Sequence, residues 1–128
     1  MSFIRPAKPS RIRVGQTGED LAFKLLEKKG YKILERNYKS PLGEIDIIAR
    51  EGKTLVFVEV KTRLTSDFGT AKGAVGPRKQ RKVSMVALDY LKRHSLLEHP
   101  ARFDVVAIDL DHEQENIELF RNAFDLAY

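Results

Sequence analysis

Glu44-Ile45-Asp46-Ile47-Ile48-Ala49-Arg50 is followed, after Glu51-Gly52-Lys53, by Thr54-Leu55-Val56-Phe57-Val58-Glu59-Val60-Lys61. The two runs are rich in β-branched residues and are separated by a glycine-bearing triplet, which predicts two strands joined as a hairpin. The unbroken apolar run Leu55–Val58 predicts that the second strand is central and covered on both faces. Alternation along it places Leu55, Phe57, Glu59 and Lys61 on one face and Val56, Val58 and Val60 on the other. On the first strand the same rule groups Glu44, Asp46 and Ile48 opposite Ile45, Ile47 and Ala49. Asp46 and Glu59 therefore interrupt apolar strands.

Working outward, residues 31–38 predict one more strand, and Lys39 to Gly43 a turn. Upstream, Leu21, Ala22, Leu25 and Leu26 recur at helical spacing, predicting a helix over 16–29. Thr17 is its expected cap, Glu19 and Asp20 its first-turn acids, and Gly30 its stop. Downstream, residues 62–76 carry Gly69, Gly73 and Gly76 and predict a flexible flap. A second helix is expected from Pro77 to about His94, because Val83, Val86, Ala87, Tyr90 and Leu91 form an apolar stripe. Strands over 102–110 and 116–121 complete the order α-β-β-β-α-β-β. A helix between the third and fourth strands implies a crossover, so an α/β fold with a mixed central sheet flanked by helices is expected. Residues 14–128 then make one domain, and residues 1–13 a basic arm.

The 128 residues carry a net charge of +5, unevenly spread. Residues 61–93 hold nine bases against Asp67 and Asp89, whereas residues 104–128 hold seven acids against Arg121. A basic middle is a footprint for a polyanion such as nucleic acid; a solvated surface is the competing reading. There are no cysteines, which excludes disulfide frameworks, thiol nucleophiles and zinc fingers together. No apolar run approaches a membrane span or a secretory leader, so no membrane partner and a cytoplasmic location are expected. Dinucleotide, phosphate-loop and serine-elbow motifs are absent.

A buried carboxylate needs a partner. Asp46 and Glu59, on neighbouring strands, are satisfied either by an ion-pair network with Lys61 or an arginine, or by one divalent cation between them. Hard oxygen ligands suit Mg²⁺ or Mn²⁺. Glu19 shares a helix face with Ala22, Phe23 and Leu26, which makes it a third candidate carboxylate. On the second helix, Lys79 and Gln80 continue the apolar stripe towards the sheet, while Arg78, Arg81 and Lys82 turn outward, where they can meet phosphates. A metal held by such carboxylates, beside a lysine, is the chemistry of phosphodiester hydrolysis.

Asp46 followed thirteen residues later by Glu59-Val60-Lys61 resembles the PD-(D/E)XK nuclease signature, with Ile45 in place of the proline. A longer set of blocks is more specific. Gly18-Glu19, Arg36-Asn37, Gly43 to Ile48, Phe57 to Arg63 and Phe68-Gly69 together resemble the YraN/UPF0102 family over roughly residues 14–110. Its members are regarded as endonucleases distantly similar to archaeal Holliday junction resolvases. The resemblance implies a restriction-endonuclease-like α-β-β-β-α-β core. It further implies Asp46, Glu59 and the Val60 carbonyl as metal ligands, Lys61 as the catalytic lysine and Glu19 as the helix carboxylate.

The expected function is metal-dependent cleavage of structured DNA. Arg63, Lys72, Arg78, Lys79, Gln80 and Lys82 are the expected nucleic-acid contacts. A homodimer is expected, since a junction needs two symmetric nicks. The alternatives are a nucleic-acid-binding module without turnover and an interaction factor that uses the acidic stretch Asp104–Asp125.

Overall fold

In chain order the elements are α1 (Arg11–Lys28), β1 (Lys32–Ser40), β2 (Gly43–Glu51), β3 (Thr54–Leu64), α2 (Pro77–Arg93), β4 (Ala101–Leu110) and β5 (Glu115–Phe124). The computed structural model describes residues 11–64, 72–110 and 115–127. One five-stranded sheet runs β1-β2-β3-β4-β5. Its β3–β4 pair is parallel and the other three are antiparallel. The parallel pair follows from α2, which carries the chain back between those strands. The expected α/β architecture, with its mixed sheet and flanking helices, is the one the chain adopts.

Each helix covers one face of the sheet. Ala22 and Leu26 of α1 pack on Ile47, Ala49, Val56, Val58, Val106 and Ile108. Val83, Val86, Ala87, Tyr90 and Leu91 of α2 pack on Ile45, Ile48, Phe57, Phe103 and Val105. Covered from both sides, β3 is buried from Leu55 to Glu59, as its apolar run requires. Fully burying each such aliphatic or aromatic side chain contributes about 1.5–3 kcal/mol. Phe57 is the hub of the α2 face, with ring centroids 5.8 Å from both Tyr90 and Phe103.

Three expectations need correction. α1 begins at Arg11, inside the stretch assigned to the arm, so Thr17 is no cap and Glu19 lies well inside the helix. Packing against the sheet overrides the local capping signal. Gly18 sits where α1 meets β3: a Cβ there would overlap Thr62 Oγ1 and stand 3.4 Å from Thr62 Cβ. Only a glycine lets α1 approach β3 at that point. The far end of α1 behaves as read, since Gly30 has φ +90° and the Gly30 and Tyr31 amides close back on the Glu27 and Leu26 carbonyls.

Secondly, the strands outrun their sequence signal. β1 continues to Ser40, which pairs with Gly43 and leaves Pro41-Leu42 as the turn. Thr62, Arg63 and Leu64, read as the start of the flap, pair with Ile108, Asp109 and Leu110. Residues 65–71 of the flap, with Phe68 and Gly69, lie outside the described residues, as do residues 1–10 of the arm. Thirdly, simple alternation fails in β2. Ile45 packs with Ile48 on the α2 face, while Ile47 and Ala49 face α1. The break falls at Asp46.

Candidate active site

Regular β2–β3 pairing runs from Glu51↔Thr54 to Ile47↔Val58 and stops there. At the next position the Asp46 side chain takes over, accepting the Val60 amide on Oδ2 at 2.8 Å. The strands part at this point, and the two carboxylates occupy the opening. Glu59 is 6% exposed. Its Oε2 faces Lys79 Nζ at 3.5 Å, and its Oε1 is buried with no hydrogen-bond partner.

Electrostatics mark the pair as strained. Burial, and then the neighbouring Asp46 charge, push the Glu59 carboxyl up to about 8, against a relief from Lys79. Asp46 is also raised, first by burial, with the Val60 amide pulling the other way. Like charges on neighbouring strands favour holding one proton between them. Glu19 is raised by burial and then by Asp46, and a hydrogen bond from the Asn37 side chain opposes this. The structure therefore brings Glu19, Asp46 and Glu59 into one electrostatic group contributed by α1, β2 and β3.

Asn37 is a residue that strand periodicity does not reveal. Its φ of +53° is uncommon for anything but glycine. It sits on β1 between Arg36 and Tyr38, which pair with Ile47 and Ile45, so it lies opposite Asp46. The signal available was the asparagine itself, since asparagine tolerates this backbone region better than most residues. Next to it, Arg36 bonds Asp20 Oδ1 at 2.6 Å and covers the Phe23 ring at 4.6 Å, tying β1 to α1.

Lys61 is half-exposed on β3, and its Nζ donates to the Ala74 carbonyl at 2.8 Å. Gln80 acts similarly one turn into α2, its Nε2 donating to the Val75 carbonyl at 2.7 Å. These two bonds pin residues 74–75, the approach to α2, beside the carboxylates. Among the described residues no three His, Asp or Glu side chains converge as a metal cage. Asp46 and Glu59, with the Val60 carbonyl between Glu59 and Lys61, remain a fitting donor set for Mg²⁺, which commonly binds through one or two carboxylates and keeps its waters. The orphaned Glu59 oxygen is the atom such an ion would satisfy.

Comparison with known proteins agrees with the resemblance in the residues. The model of "Uncharacterised protein family UPF0102" matches residues 18–108. A UPF0102 protein of Syntrophus aciditrophicus is 51% identical over 117 residues, covering 91% of this chain and 92% of its own. The chain belongs to family UPF0102. A second relative, the UPF0102 protein GSU0650 of Geobacter sulfurreducens, is 52% identical over 116 residues, with 90% and 91% covered. Among solved structures, a Ca²⁺ complex of Pyrococcus furiosus SfsA aligns with 17% identity and a TM-score of 0.38, over 84% of this chain and 62% of SfsA. The UPF0102 match spans Glu19, Asp46, Glu59, Lys61 and all of α2.

The remaining expected contacts of this UPF0102 chain divide into two groups. Arg78 and Lys82 are exposed on α2, with Arg81 beside them. Lys79 leans the other way, onto Glu59. Arg63 and Lys72 lie apart, at the β4–β5 side, where Arg63 Nε bonds Asp109 at 2.9 Å and Lys72 pairs with Asp109 and Glu118. Within the acidic stretch, Asp109 is paired with Arg63 and Lys72, while Glu118 and Asp125 are exposed. Asp104 is fully buried, accepting from Tyr31, Arg102 and the Asn122 amide. Among the described residues no helix is long and apolar enough to cross a membrane.

Proposed function

We propose that this protein is a divalent-metal-dependent endonuclease that hydrolyses phosphodiester bonds of DNA, with branched or otherwise structured DNA as its substrate. The observation that carries the reading is the Asp46–Glu59 pair. Two carboxylates are buried together where β2 and β3 part, with one Glu59 oxygen unsatisfied. Such an arrangement is costly without a cation, and strained carboxylates of this kind are commonly functional. The likeness of Asp46 and Glu59-Val60-Lys61 to the PD-(D/E)XK signature supports the same reading.

Asp46, Glu59 and the Val60 carbonyl would hold Mg²⁺ or Mn²⁺, which supplies polarisation of the phosphodiester and a more acidic bound water. Lys61, two residues beyond Glu59, presents positive charge for the developing phosphate charge. Glu19 and Asn37 orient the α1 side of the opening. Arg78 and Lys82 give α2 an exposed basic edge for the backbone, and such contacts position a duplex without reading its sequence. A two-fold dimer would place two such sites on one junction, and the work would lie in the cytoplasm with its substrate.

The test is cleavage of end-labelled four-way junctions, flaps, linear duplex, single-stranded DNA and RNA, with Mg²⁺, Mn²⁺ or EDTA. Cutting that needs metal and disappears in both Asp46→Asn and Lys61→Ala is the expected result. Cutting that persists in the variants sinks the proposal. A binding module without turnover is the second reading, favoured by the Lys61 bond to the Ala74 carbonyl, which engages the lysine in structure. Gel shifts on the same substrates, without cleavage, would support it.

A further inference from the structure

The Asp46–Glu59 pair already has a cation against it, and the cation comes from the helix rather than from the strand motif. Among the described residues, the ammonium within ion-pairing distance of Glu59 is that of Lys79, in the first turn of α2. Its setting is unusual in three respects. At 3.5 Å the contact is longer than the ~2.7–2.9 Å of a strong charge-assisted hydrogen bond. The Lys79 side chain is 55% exposed against 7% for Glu59, so the ammonium reaches in from solvent. It also serves only one carboxylate oxygen, since Glu59 Oε1 is left buried and unpartnered.

The helix gains nothing from this lysine. The first turn of α2 holds no acid, and its cap Gly76 offers no side chain to the free amides. A cation there meets the positive end of the helix dipole. A side chain set against its own helix and aimed at a buried carboxylate is a counter-charge for that carboxylate.

We propose that Lys79 is the resident counter-cation of the Asp46–Glu59 pair, a built-in competitor that the divalent metal ion must displace and that thereby sets the metal affinity of the site. The proposal rests on the metal-dependent reading above. While Lys79 is engaged, the pair is part-neutralised and the protein tolerates it without metal. Asp46 and Glu59 would hold a divalent ion in place of the ammonium, which reaches them from solvent. By linkage, whatever the Lys79 contact contributes is subtracted from metal binding.

The experiment is calorimetric titration of Mn²⁺ into the metal-free full chain, without nucleic acid. Wild type is compared with Lys79→Met, which keeps the length of the stem, and with Arg78→Gln as a neighbouring charge removal. Lys79→Gln repeats the measurement should the methionine variant fold poorly. Lys79→Met is expected to bind Mn²⁺ about five-fold tighter or more, and to show a larger rise in Tm on Mn²⁺ addition. Arg78→Gln is expected to change the Kd by less than about two-fold, its charge being solvent-screened. An unchanged or weaker Kd in Lys79→Met overturns the proposal, as does equal tightening in Arg78→Gln, which would be net charge alone. Mn²⁺ binding with equal affinity in wild type and Lys79→Met overturns this proposal and leaves the nuclease reading standing. Absence of Mn²⁺ binding in both overturns the two together.

Discussion

Asp46 Oδ2 accepts the Val60 amide at 2.8 Å, one residue beyond the last regular β2–β3 pair. A side chain thus replaces a backbone partner at the mouth of the site, and this gives Asp46 two separable roles. Asparagine keeps an acceptor oxygen for Val60 but carries no charge. Asp46→Asn is expected to hold its Tm within a few degrees of wild type and to lose metal-dependent cleavage. Asp46→Ala leaves the Val60 amide without its partner and should cost about 1–3 kcal/mol in addition. Thermal melts of both variants beside the cleavage assay check this. A collapse of Asp46→Asn stability would mean that the charge, not the acceptor, holds the strands.

The raised carboxylates make the metal-free protein sensitive to alkali. Glu59 holds its proton up to about 8 in the folded chain, against 4.5 for its ordinary value. The folded state therefore binds more protons across that window. Its contribution to stability is fully present below pH 4.5 and is lost as pH rises towards 8. Asp46 and Glu19 are shifted in the same direction. Asp109, held low first by its Arg63 hydrogen bond, acts oppositely, and only below its ordinary 3.8. Urea unfolding in EDTA should show stability falling from pH 5 to pH 8, with a slope of at most about 1.4 kcal/mol per pH unit per proton. Glu59→Gln should flatten that slope. A wild-type curve that is flat or rising over the window contradicts the burial argument.

Much of this arrangement is legible in the chain, for physical reasons that differ from residue to residue. Strand periodicity reports what a side chain faces, so Glu59 and Asp46 stand out as carboxylates inside apolar runs. The α2 stripe likewise gives the inward lean of Lys79 and Gln80. What periodicity cannot report is a place where pairing fails. The face change between Ile45 and Ile47 arises because Asp46 inserts between strands, and no local preference encodes that. Asn37 escapes for the same reason, since its left-handed backbone matters only once Asp46 lies opposite. Thr17 reads locally as a cap, yet it lies inside α1, and the neighbouring Gly18 contact with Thr62 spans 44 residues. Asp104 looked like part of an acidic tail because charge runs carry no record of burial.

That buried aspartate makes its own prediction. Asp104 is fully buried and receives Tyr31 Oη at 2.9 Å, Arg102 Nε at 3.0 Å and the Asn122 amide at 2.9 Å. Arg102 continues to Glu51, which also meets Arg121. The network fastens the end of α1, the β2–β3 turn and β5 to β4, and Asp104 itself pairs with Val58, the residue before Glu59. Asp104→Ala strands three donors at once, the Arg102 guanidinium among them, and should cost about 3–5 kcal/mol. Tyr31→Phe removes two hydrogen bonds, the one its hydroxyl donates to Asp104 and the one it accepts from Arg102 at 2.8 Å, and should cost about 1–3 kcal/mol. Chemical denaturation measures both. A mild Asp104→Ala would mean that Glu51 alone satisfies Arg102.

Gly18 links packing to the site most directly, and a double-mutant cycle can isolate the link. Its missing Cβ admits Thr62 Oγ1, and this contact sets how closely α1 approaches β3. The next residue is Glu19, so any lift of the helix carries that carboxylate away from Asp46. Gly18→Ala gains helix propensity of about 1 kcal/mol, yet it forces an overlap whose relief costs typically 1–3 kcal/mol. Overpacking is expected to win, giving net destabilisation together with a loss of cleavage. Thr62→Ala removes the obstructing oxygen. In the Gly18→Ala/Thr62→Ala protein the overlap is gone and the propensity gain remains, so stability should exceed that of Gly18→Ala alone by more than additivity allows. If the two substitutions simply add, the contact does not govern the approach of α1.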